Sequence, residues 1–229
     1  MGARPQRKVR IQWSGNFAYA LGLITSDGSL NKDGRHLWFS SKDLELVKNL
    51  KNSLKIEAKI GRYARGGEKI KRYYRLSFGD IYFYRFLNKL GLFSNKSKTI
   101  KKVIIPKHLF SDFLRGLFDG DGTFYSYWDR RWPNSFGFKL SFASASPPFI
   151  EWIKKELTKL YGVKGYMHKG DGVFNLEYVK GDTKKLFEKM YRGKKDPLFL
   201  RRKYFKLKDA LDIDKKVGLP YLQKSQMPG

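Results

Sequence analysis

An internal repeat of nine residues constrains the fold of this chain more than any other feature. Ala20 to Gly28 reads ALGLITSDG, and Leu114 to Gly122 reads LRGLFDGDG. The two copies are 94 residues apart (121 − 27 = 94), which is the length of a small domain. A motif that recurs at domain spacing indicates two similar structural units. We therefore interpret the 229 residues as a duplication.

The sequence after each copy follows the same order of elements. Two short stretches in which apolar and polar residues alternate come first, which is typical of strands with one buried face. A stretch with apolar residues at helical spacing follows, at 43–54 in the first half and 147–160 in the second. A second hairpin and a closing helix, 81–90 or 183–191, end each unit. Each half therefore reads as helix, two strands, helix, two strands and helix.

This order of elements predicts an α+β fold of two similar αββαββα units. The predicted parts are a basic N-terminal arm (1–13), a first half (14–94), a Lys-rich linker (95–107), a second half (108–202) and a basic C-terminal tail (203–229). The tail has no counterpart in the first half.

The net charge indicates a polyanionic partner. The chain has 48 Lys and Arg against 21 Asp and Glu, a net charge of +27. Self-repulsion of that size destabilises a compact protein unless a polyanion offsets it, and DNA or RNA does so with release of counterions. A basic surface kept for solubility and an anionic membrane surface are the alternatives.

Other classes of protein are disfavoured by composition. No run approaches the ~20 apolar residues that span a bilayer, so we expect no membrane association. The first twelve residues are basic and lack an apolar stretch, which predicts no secretory signal and a cytoplasmic location. There is no Cys, which excludes disulfides and thiolate metal sites.

The two copies, with this order of elements around them, resemble the motifs of the LAGLIDADG homing endonucleases, in particular the single-chain members with two motifs. The resemblance covers roughly residues 14 to 200. It implies an endonuclease that cuts a long, weakly palindromic or asymmetric double-stranded DNA site with Mg²⁺ or Mn²⁺ and leaves short 3′ overhangs. It also implies a prokaryotic or archaeal, intron-type monomer. In the fold that it implies, the two αββαββα units are pseudo-symmetric, and each has a curved four-stranded antiparallel sheet that forms part of a saddle over DNA.

A stripe of small and polar residues on each motif helix predicts close contact between the two helices. A Gly in a helix interior costs ~1 kcal/mol relative to Ala, so its recurrence indicates that backbone contact offsets the loss. The stripe consists of Ala18, Gly22 and Thr25 in the first helix and Asp112, Gly116 and Asp119 in the second. We expect Gly28 and Gly122 to adopt the dihedral angles of a sharp exit from each helix.

Asp27 and Asp121 end the two motif helices. Carboxylates at helix C-termini are unfavourable with the helix dipole and repel each other, and a divalent cation removes both penalties. Either copy alone would also fit an ordinary Asp-Gly turn. The resemblance implies that both Asp residues are catalytic metal ligands and that the carbonyl groups of Ser26 and Gly120 add ligands. Thr25 replaces the first acid of the motif, a position that serves packing in the family.

The resemblance also implies a basic residue near each scissile phosphate. Lys42, after the second strand, stands where related enzymes often carry one. Its counterpart is Ala145, so we assign the role in the second half to Lys180. A lysine there polarises water or balances developing charge. The alternative for both is an ordinary phosphate contact or a surface lysine.

Strand alternation predicts which side chains face DNA. Leu37 and Phe39, and residues 138, 140 and 142, are assigned to the core. Residues of the opposite parity are polar, basic or aromatic, which suits contacts with base edges. In the first half they are Ser29, Asn31, Asp33, His36, Trp38, Ser40, Tyr63, Arg65, Lys71, Tyr73 and Arg75. In the second half they are Thr123, Tyr125, Tyr127, Lys139, Ser141, Tyr166, His168, Asn175 and Glu177.

The sequence leaves three other functions open. An RNA maturase of the same family would share the fold and the charge, and so would a catalytically silent DNA-binding regulator. Retention of Asp27 and Asp121 favours the nuclease, because binding alone does not require these acids. An intein-borne nuclease is disfavoured by the absence of Cys and of a flanking splicing domain.

Overall fold

The predicted order of elements is present in the computed structural model, which describes residues 7–64, 66 and 69–224. The first half contains α1 (Gly15–Ser26), β1 (Gly28–Leu30), β2 (His36–Ser41), α2 (Leu44–Leu54), β3 (Ile60–Tyr63), β4 (Tyr73–Gly79) and α3 (Ile81–Lys89). The connection contains a short helix, α4 (Lys96–Thr99), and a 3₁₀ turn (Lys107–Leu109). The second half contains α5 (Phe110–Asp121), β5 (Thr123–Trp128), β6 (Phe136–Ser144), α6 (Pro147–Tyr161), β7 (Tyr166–Lys169), β8 (Phe174–Val179) and α7 (Lys180–Tyr191), and α8 (Arg201–Lys224) follows it.

Each half contains one four-stranded sheet, and the two sheets have the same topology. The strand orders are β1-β2-β4-β3 and β5-β6-β8-β7, with every pair antiparallel. The prediction of two α+β units with four-stranded antiparallel sheets is therefore confirmed. No helix in the described ranges has both the length and the apolar composition needed to cross a bilayer.

The alternating pattern of the strands determines which sheet face is buried. Leu37 and Phe39 in β2, and the β6 residues Phe138, Leu140 and Phe142, are at most 4% exposed, as predicted. Burying one such side chain contributes about 1.5–3 kcal/mol, and a one-residue slip of register would expose the whole set. The opposite face of each sheet is consequently fixed as the polar, open one.

The two motif helices, α1 and α5, are in backbone contact through their glycines. A Cβ on Gly22 would overlap the carbonyl oxygen of Phe113 and lie 2.7 Å from the backbone nitrogen of Leu117. A Cβ on Gly116 would overlap the carbonyl oxygen of Tyr19 and lie 3.1 Å from the Cα of Gly22. The absence of a side chain at both positions therefore allows the helices to meet.

The glycine that follows each motif Asp is required by space and not by backbone conformation. Neither Gly28 nor Gly122 has a positive φ, and Gly122 is extended, with φ −69° and ψ 150°. A Cβ on Gly28 would lie 2.6 Å from the carbonyl oxygen of Ile24, and one on Gly122 would lie 2.6 Å from that of Phe118. Our expectation of special dihedral angles was wrong. The chain passes so close to its own last helical turn that it leaves no room for a Cβ.

The segment that we expected to be a polar tail begins as part of a long helix. The 24 residues of α8 include Leu207 and Ala210, which are buried in the core. Asp214 is also buried and pairs with Lys180 at 2.6 Å and with Lys184. The apolar stripe is narrow and lies among many charged residues, so its helical period is weak in the sequence.

Candidate active site

The ends of α1 and α5 bring Asp27 and Asp121 together. Asp27 directly follows α1, and its backbone N–H donates to the carbonyl oxygen of Leu23 at 3.0 Å. Asp121 is the last residue of α5. A carboxylate oxygen of Asp27 lies 2.9 Å from the position that a Cβ on Gly120 would occupy. Because the two helices touch along their length, both carboxylates lie at the junction of the two halves.

Burial and mutual repulsion make both carboxylates hard to ionise. Burial, followed by repulsion from Asp121, raises the pKa of Asp27 to about 7. Burial raises the pKa of Asp121 as well. Although neighbouring protein atoms desolvate both groups, Asp27 is only half-buried and Asp121 is exposed at the surface. A pair of accessible carboxylates that repel each other is suited to binding a cation, which favours their charged form.

Lys96 approaches the carboxylates from the connection between the halves. It is the first residue of α4 and is 6% exposed. Its ammonium group donates to the carbonyl oxygen of Ser26 at 3.4 Å. Burial lowers the pKa of Lys96 to about 8, and the charges of Asp121 and Asp27 oppose this shift. Lys96 therefore supplies a desolvated positive charge at the end of α1.

Lys203, in α8, covers the C-terminal end of α5. Its ammonium group donates to the carbonyl oxygens of Phe118 at 2.7 Å, Gly120 at 2.9 Å and Gly122 at 2.6 Å. A helix leaves its last carbonyl groups without partners, and a cation at this end also interacts favourably with the helix dipole. Burial lowers the pKa of Lys203 to about 8, and attraction by Asp119 opposes this shift.

The two lysines occupy equivalent places in the two halves. Each follows the closing helix of its own half, and each reaches backbone carbonyl groups at the end of that half's motif helix. Two ammonium groups thus face two carboxylates. We did not select either lysine from the sequence, because they lie in the segments assigned to the linker and the tail, among 48 basic residues. Their shared position after a closing helix is the signal that could have identified them.

Asp119 connects the two motif helices to α8. One oxygen of its carboxylate accepts from the hydroxyl of Tyr19 in α1 at 2.8 Å and from the backbone N–H of Leu200 at 2.7 Å. Burial raises the pKa of Asp119 to about 6, although both hydrogen bonds favour the ionised form. Leu200 immediately precedes α8, so Asp119 also positions the helix that carries Lys203.

The other residues of the predicted stripe lie at or near the same contact. Ala18 and Thr25 are buried, and the Thr25 hydroxyl donates to a carbonyl group of its own helix at 2.7 Å. Asp112 accepts from the guanidinium of Arg115 at 2.8 Å. A Cβ on Gly15 would lie 3.2 Å from the Asp112 carboxylate, so this acid also faces α1.

A comparison with known protein families agrees with this two-fold arrangement. The LAGLIDADG-like domain matches the chain twice, at residues 15–91 and 111–191, once in each half. The chain belongs to the LAGLIDADG-like family. No curated protein matches the chain at a significant level.

Solved structures share the LAGLIDADG fold at low sequence identity. The homing endonuclease I-WcaI, bound to its DNA recognition sequence, has a TM-score of 0.61 and 15% identity, covering 86% of this chain and 88% of I-WcaI. I-DmoI in complex with DNA and Ca has a TM-score of 0.53 and 20% identity, covering 84% of this chain and 97% of I-DmoI. Full-length DUF199/WhiA from Thermatoga maritima has a TM-score of 0.54 and 17% identity; the match covers 96% of this chain but only 64% of WhiA. These similarities establish a common fold.

Lys42 lies in the cleft beside the first LAGLIDADG helix. This cleft has a volume of about 540 Å³, and Asp27, Lys96 and Gly120 also line it. Lys42 is exposed, and its ammonium group lies 5.5 Å from the centre of the Tyr73 ring. It is therefore placed to contact a phosphate that enters the cleft.

Lys180 lies at the opposite end of the second sheet from Asp121. Its ammonium group pairs with Asp214 at 2.6 Å and donates to the carbonyl oxygen of Phe136 at 3.1 Å. Phe136 is the first residue of β6. The β6 residue nearest to Asp121 is Ser141, because it pairs with Thr123, the first residue of β5. Phe136 lies five residues (141 − 136 = 5) before Ser141. At ~3.3 Å per residue this separation is about 16 Å. The structure thus does not bring Lys180 to the LAGLIDADG acids, because the strand before it leads away from them.

The residues predicted to face DNA lie on the open sheet faces and their connecting turns, except Arg65, which is outside the described residues. None of the others is buried. The exposed ones are Asn31, Asp33, His36, Lys71, Thr123, Tyr125, Tyr127, Tyr166 and His168. The half-buried ones are Ser29, Trp38, Ser40, Tyr63, Tyr73, Arg75, Lys139, Ser141, Asn175 and Glu177.

The two open faces differ in character. In the first sheet the guanidinium of Arg75 lies 3.4 Å from the ring centre of Tyr63 and 4.6 Å from that of Trp38. In the second sheet Glu177 accepts from Lys139 at 2.9 Å. The first face therefore presents a cation held by aromatic rings, and the second presents an ion pair. Two unlike LAGLIDADG faces are suited to an asymmetric partner.

Proposed function

We propose that this LAGLIDADG protein is a site-specific endonuclease that hydrolyses both strands of a DNA duplex with a divalent metal ion. The meeting of Asp27 and Asp121 at the ends of α1 and α5 is the observation that carries the proposal. Binding to a polyanion does not require two acids, and negative charge at the centre of a basic surface weakens it. Their retention is explained by a cation held between protein and phosphate.

The carboxylates fit Mg²⁺ or Mn²⁺, which prefer hard oxygen ligands. Within the part of the chain that the structure describes, no group of three His, Asp or Glu side chains could hold a metal. Phosphate oxygens of the DNA and water would therefore complete the ligand set, as is usual for Mg²⁺ in phosphoryl transfer. A metal bound there would supply an activated water and would stabilise the leaving 3′ oxygen.

The carbonyl groups of Ser26 and Gly120 have a different place in this proposal from the one that the resemblance implied. Each accepts a hydrogen bond from an ammonium group, that of Lys96 or Lys203. We therefore propose the two carboxylates as the protein's metal ligands. The carbonyl groups instead orient the two lysines, whose charges offset the negative charge that develops on the scissile phosphates.

In this proposal the duplex lies across the open faces of both sheets, with one Asp serving each strand. Lys42 contacts a phosphate in the cleft of the first half. Lys203 takes the role in the second half that we had assigned to Lys180. Both acids are in one chain, so the protein acts as a monomer.

A randomised duplex library tests this function even though the target sequence is unknown. With Mg²⁺ or Mn²⁺ we expect cut products that share one sequence and carry 5′ phosphates and short 3′ overhangs, and EDTA should prevent their formation. A library that the protein binds but never cuts would indicate a DNA-binding protein without nuclease activity. Stronger binding to structured intron RNA than to any selected duplex would indicate a maturase.

Replacing Lys96 or Lys203 by Gln is expected to slow cleavage by about 10²-fold, which is the effect of losing one group that stabilises developing charge. The Kd for the selected duplex should rise less than about tenfold, because one phosphate contact is lost. Lys206→Gln is the matched control, since Lys206 also lies in α8 and donates to a carbonyl group, that of Phe124 at 3.1 Å. Single-turnover rates and binding isotherms provide the comparison. Equal slowing by the Lys206 variant would show that the effect comes from α8 packing.

A further inference from the structure

A strongly basic cleft lies outside the candidate active site. It has a volume of about 760 Å³ and is formed by residues 7–11 and one face of α3. Five of its nine lining residues are cations, and none is acidic. The cations are Arg7, Lys8, Arg10, Arg85 and Lys89. None of these five forms an ion pair with another residue of the described ranges. We call it the flank cleft.

The N-terminal side of the flank cleft is held against α3. The backbone N–H groups of Lys8 and Val9 donate to one carboxylate oxygen of Asp80, at 2.8 and 2.9 Å. Val9 is buried, and the Trp13 ring packs edge-on against Phe86 with 6.1 Å between centroids. The backbone that carries the N-terminal cations is therefore held in place before any ligand arrives, which lowers the entropic cost of binding.

The flank cleft has the chemistry of a phosphate-backbone site. Five cations that repel one another destabilise the fold unless an anion offsets them. Three of them are Arg, whose planar fork matches phosphate oxygens. Arg85 and Lys89 are one helical turn apart, ~6 Å along the axis, so the positive charge is spread along the cleft. An extended polyanion fits this spread better than a single small anion does.

The flank cleft lies at the outer end of the first sheet. The backbone N–H of Asp80 donates at 3.1 Å to the carbonyl oxygen of Arg35, in the turn between β1 and β2. That turn is the end of the hairpin far from Asp27, because β1 starts immediately after Asp27 and runs outward. The start of α3 therefore lies at the end of the first sheet that is farther from Asp27, which is the end where a duplex along the open face would leave the sheet.

We propose that the flank cleft binds the phosphate backbone of the same duplex, beyond the base pairs that face the first sheet. This rests on the proposed DNA-binding function. Within the described ranges the second half has no equivalent of the arm that forms this cleft, because the linker precedes α5 where the arm precedes α1. The bound DNA is therefore longer on the side of the first half than on the side of the second.

The test measures binding and not cleavage, so that failure of the nuclease proposal is seen separately. A target duplex is selected from a random library by binding and trimmed to its shortest bound form. It is then extended by about one helical turn, ~10 base pairs, on one side or the other. The variant carries Arg10→Gln, Arg85→Gln and Lys89→Gln. The matched control carries Gln at three exposed lysines outside the cleft, Lys48, Lys155 and Lys159.

The wild type should bind one of the two extended duplexes more tightly than the trimmed one, and the variant should not. Raising the salt concentration from ~50 to ~200 mM should weaken binding of that duplex by the wild type about 40-fold more than binding by the variant. The reason is that each of the three phosphate contacts contributes ~0.9 to the slope of log Kd against log salt concentration. Binding of the trimmed duplex should be equal for both proteins, which also shows that the variant is folded.

Three results would overturn the flank cleft as a DNA site. The first is a gain in affinity on extending the duplex that the variant shows as strongly as the wild type. The second is an equal loss of salt dependence in the control, which would indicate only general charge. The third is unchanged duplex binding with lost affinity for a single-stranded RNA probe, which would assign the cleft to RNA. Binding with the expected length dependence but without cutting would support the cleft and count against the nuclease.

Discussion

Replacing either Asp27 or Asp121 by Asn is expected to reduce double-strand cleavage by at least about 10³-fold, with little change in the Kd for the selected duplex. Asn keeps the size and the hydrogen-bonding capacity of Asp but removes the charge that binds a divalent cation. The stabilisation that a bound metal supplies to a transition state is worth several kcal/mol, and each ~1.4 kcal/mol is tenfold in rate. Single-turnover cleavage with Mg²⁺, beside binding measured in EDTA, separates the two effects. Undiminished cutting by either variant would remove that Asp from the mechanism.

The same Asp27→Asn change is expected to stabilise the metal-free protein at neutral and higher pH. The folded protein raises the pKa of Asp27 from 3.8 to about 7, so it binds the proton more tightly than the unfolded chain does. This contribution to stability is present below the ordinary pKa and is lost as the pH rises through about 7. Asn does not titrate and so avoids the loss.

Thermal unfolding in EDTA measures this effect. Between about pH 5.5 and 8 the wild-type Tm should fall more than that of Asp27→Asn. The difference should be on the order of 1 kcal/mol, ~2–4 °C for a chain of this size. Added Mg²⁺ should raise the wild-type Tm and leave the variant nearly unchanged. If the Tm of the two proteins fell equally with rising pH, the folded protein would not raise the pKa of Asp27.

The topology could be predicted from the sequence because its signals are local and occur twice. The alternation around Leu37 and Phe39, and around Leu140 and Phe142, assigns a buried face without reference to any distant residue. The recurrence of one motif at domain spacing then indicates that the chain forms two similar units, whose motif helices pair. Each half supports the interpretation of the other, which a single copy could not do.

Lys96 and Lys203 were not predicted from the sequence, because their contacts depend on packing between distant segments. Lys203 reaches the end of α5 only after α8 has packed against the second half, 82 residues (203 − 121 = 82) beyond Asp121. Lys180 was chosen for its closeness in sequence to a strand end, and that strand leads away from the acids. The lack of room for a Cβ at Gly28 is a local contact with Ile24, and it was missed because it depends on the path by which the chain leaves the last turn of α1.

The common fold does not decide the chemistry. I-WcaI, described as a homing endonuclease, and WhiA both share the architecture of this chain. Function depends on the site that a fold carries, and here the site reduces to two acids and two lysines at the junction of the halves. The proposed cleavage activity therefore depends on the contact between α1 and α5 that brings these groups together.

That contact makes Gly22→Ala the substitution with the largest expected effect on stability. The new methyl group would meet the backbone of Phe113 and Leu117, which cannot move aside as a flexible side chain can. Overpacking a core costs about 1–3 kcal/mol and occasionally more, and we expect the upper end or beyond, despite a gain of ~1 kcal/mol in helix propensity. Chemical denaturation measures the loss. Cleavage should fall with it, because the helix ends that carry Asp27 and Asp121 would separate.

Gly181→Ala provides the matched control, because Gly181 also lies in a helix, α7, and no atom beyond its own stretch of helix backbone lies within 4 Å of a Cβ placed there. This variant should be as stable as the wild type or more stable by about 0.5–1 kcal/mol, since Ala loses less conformational entropy on folding. If both variants gained stability alike, α1 and α5 would not be in backbone contact in solution. The two carboxylates would then have no reason to meet, and the assignment of a shared metal site would fail with them.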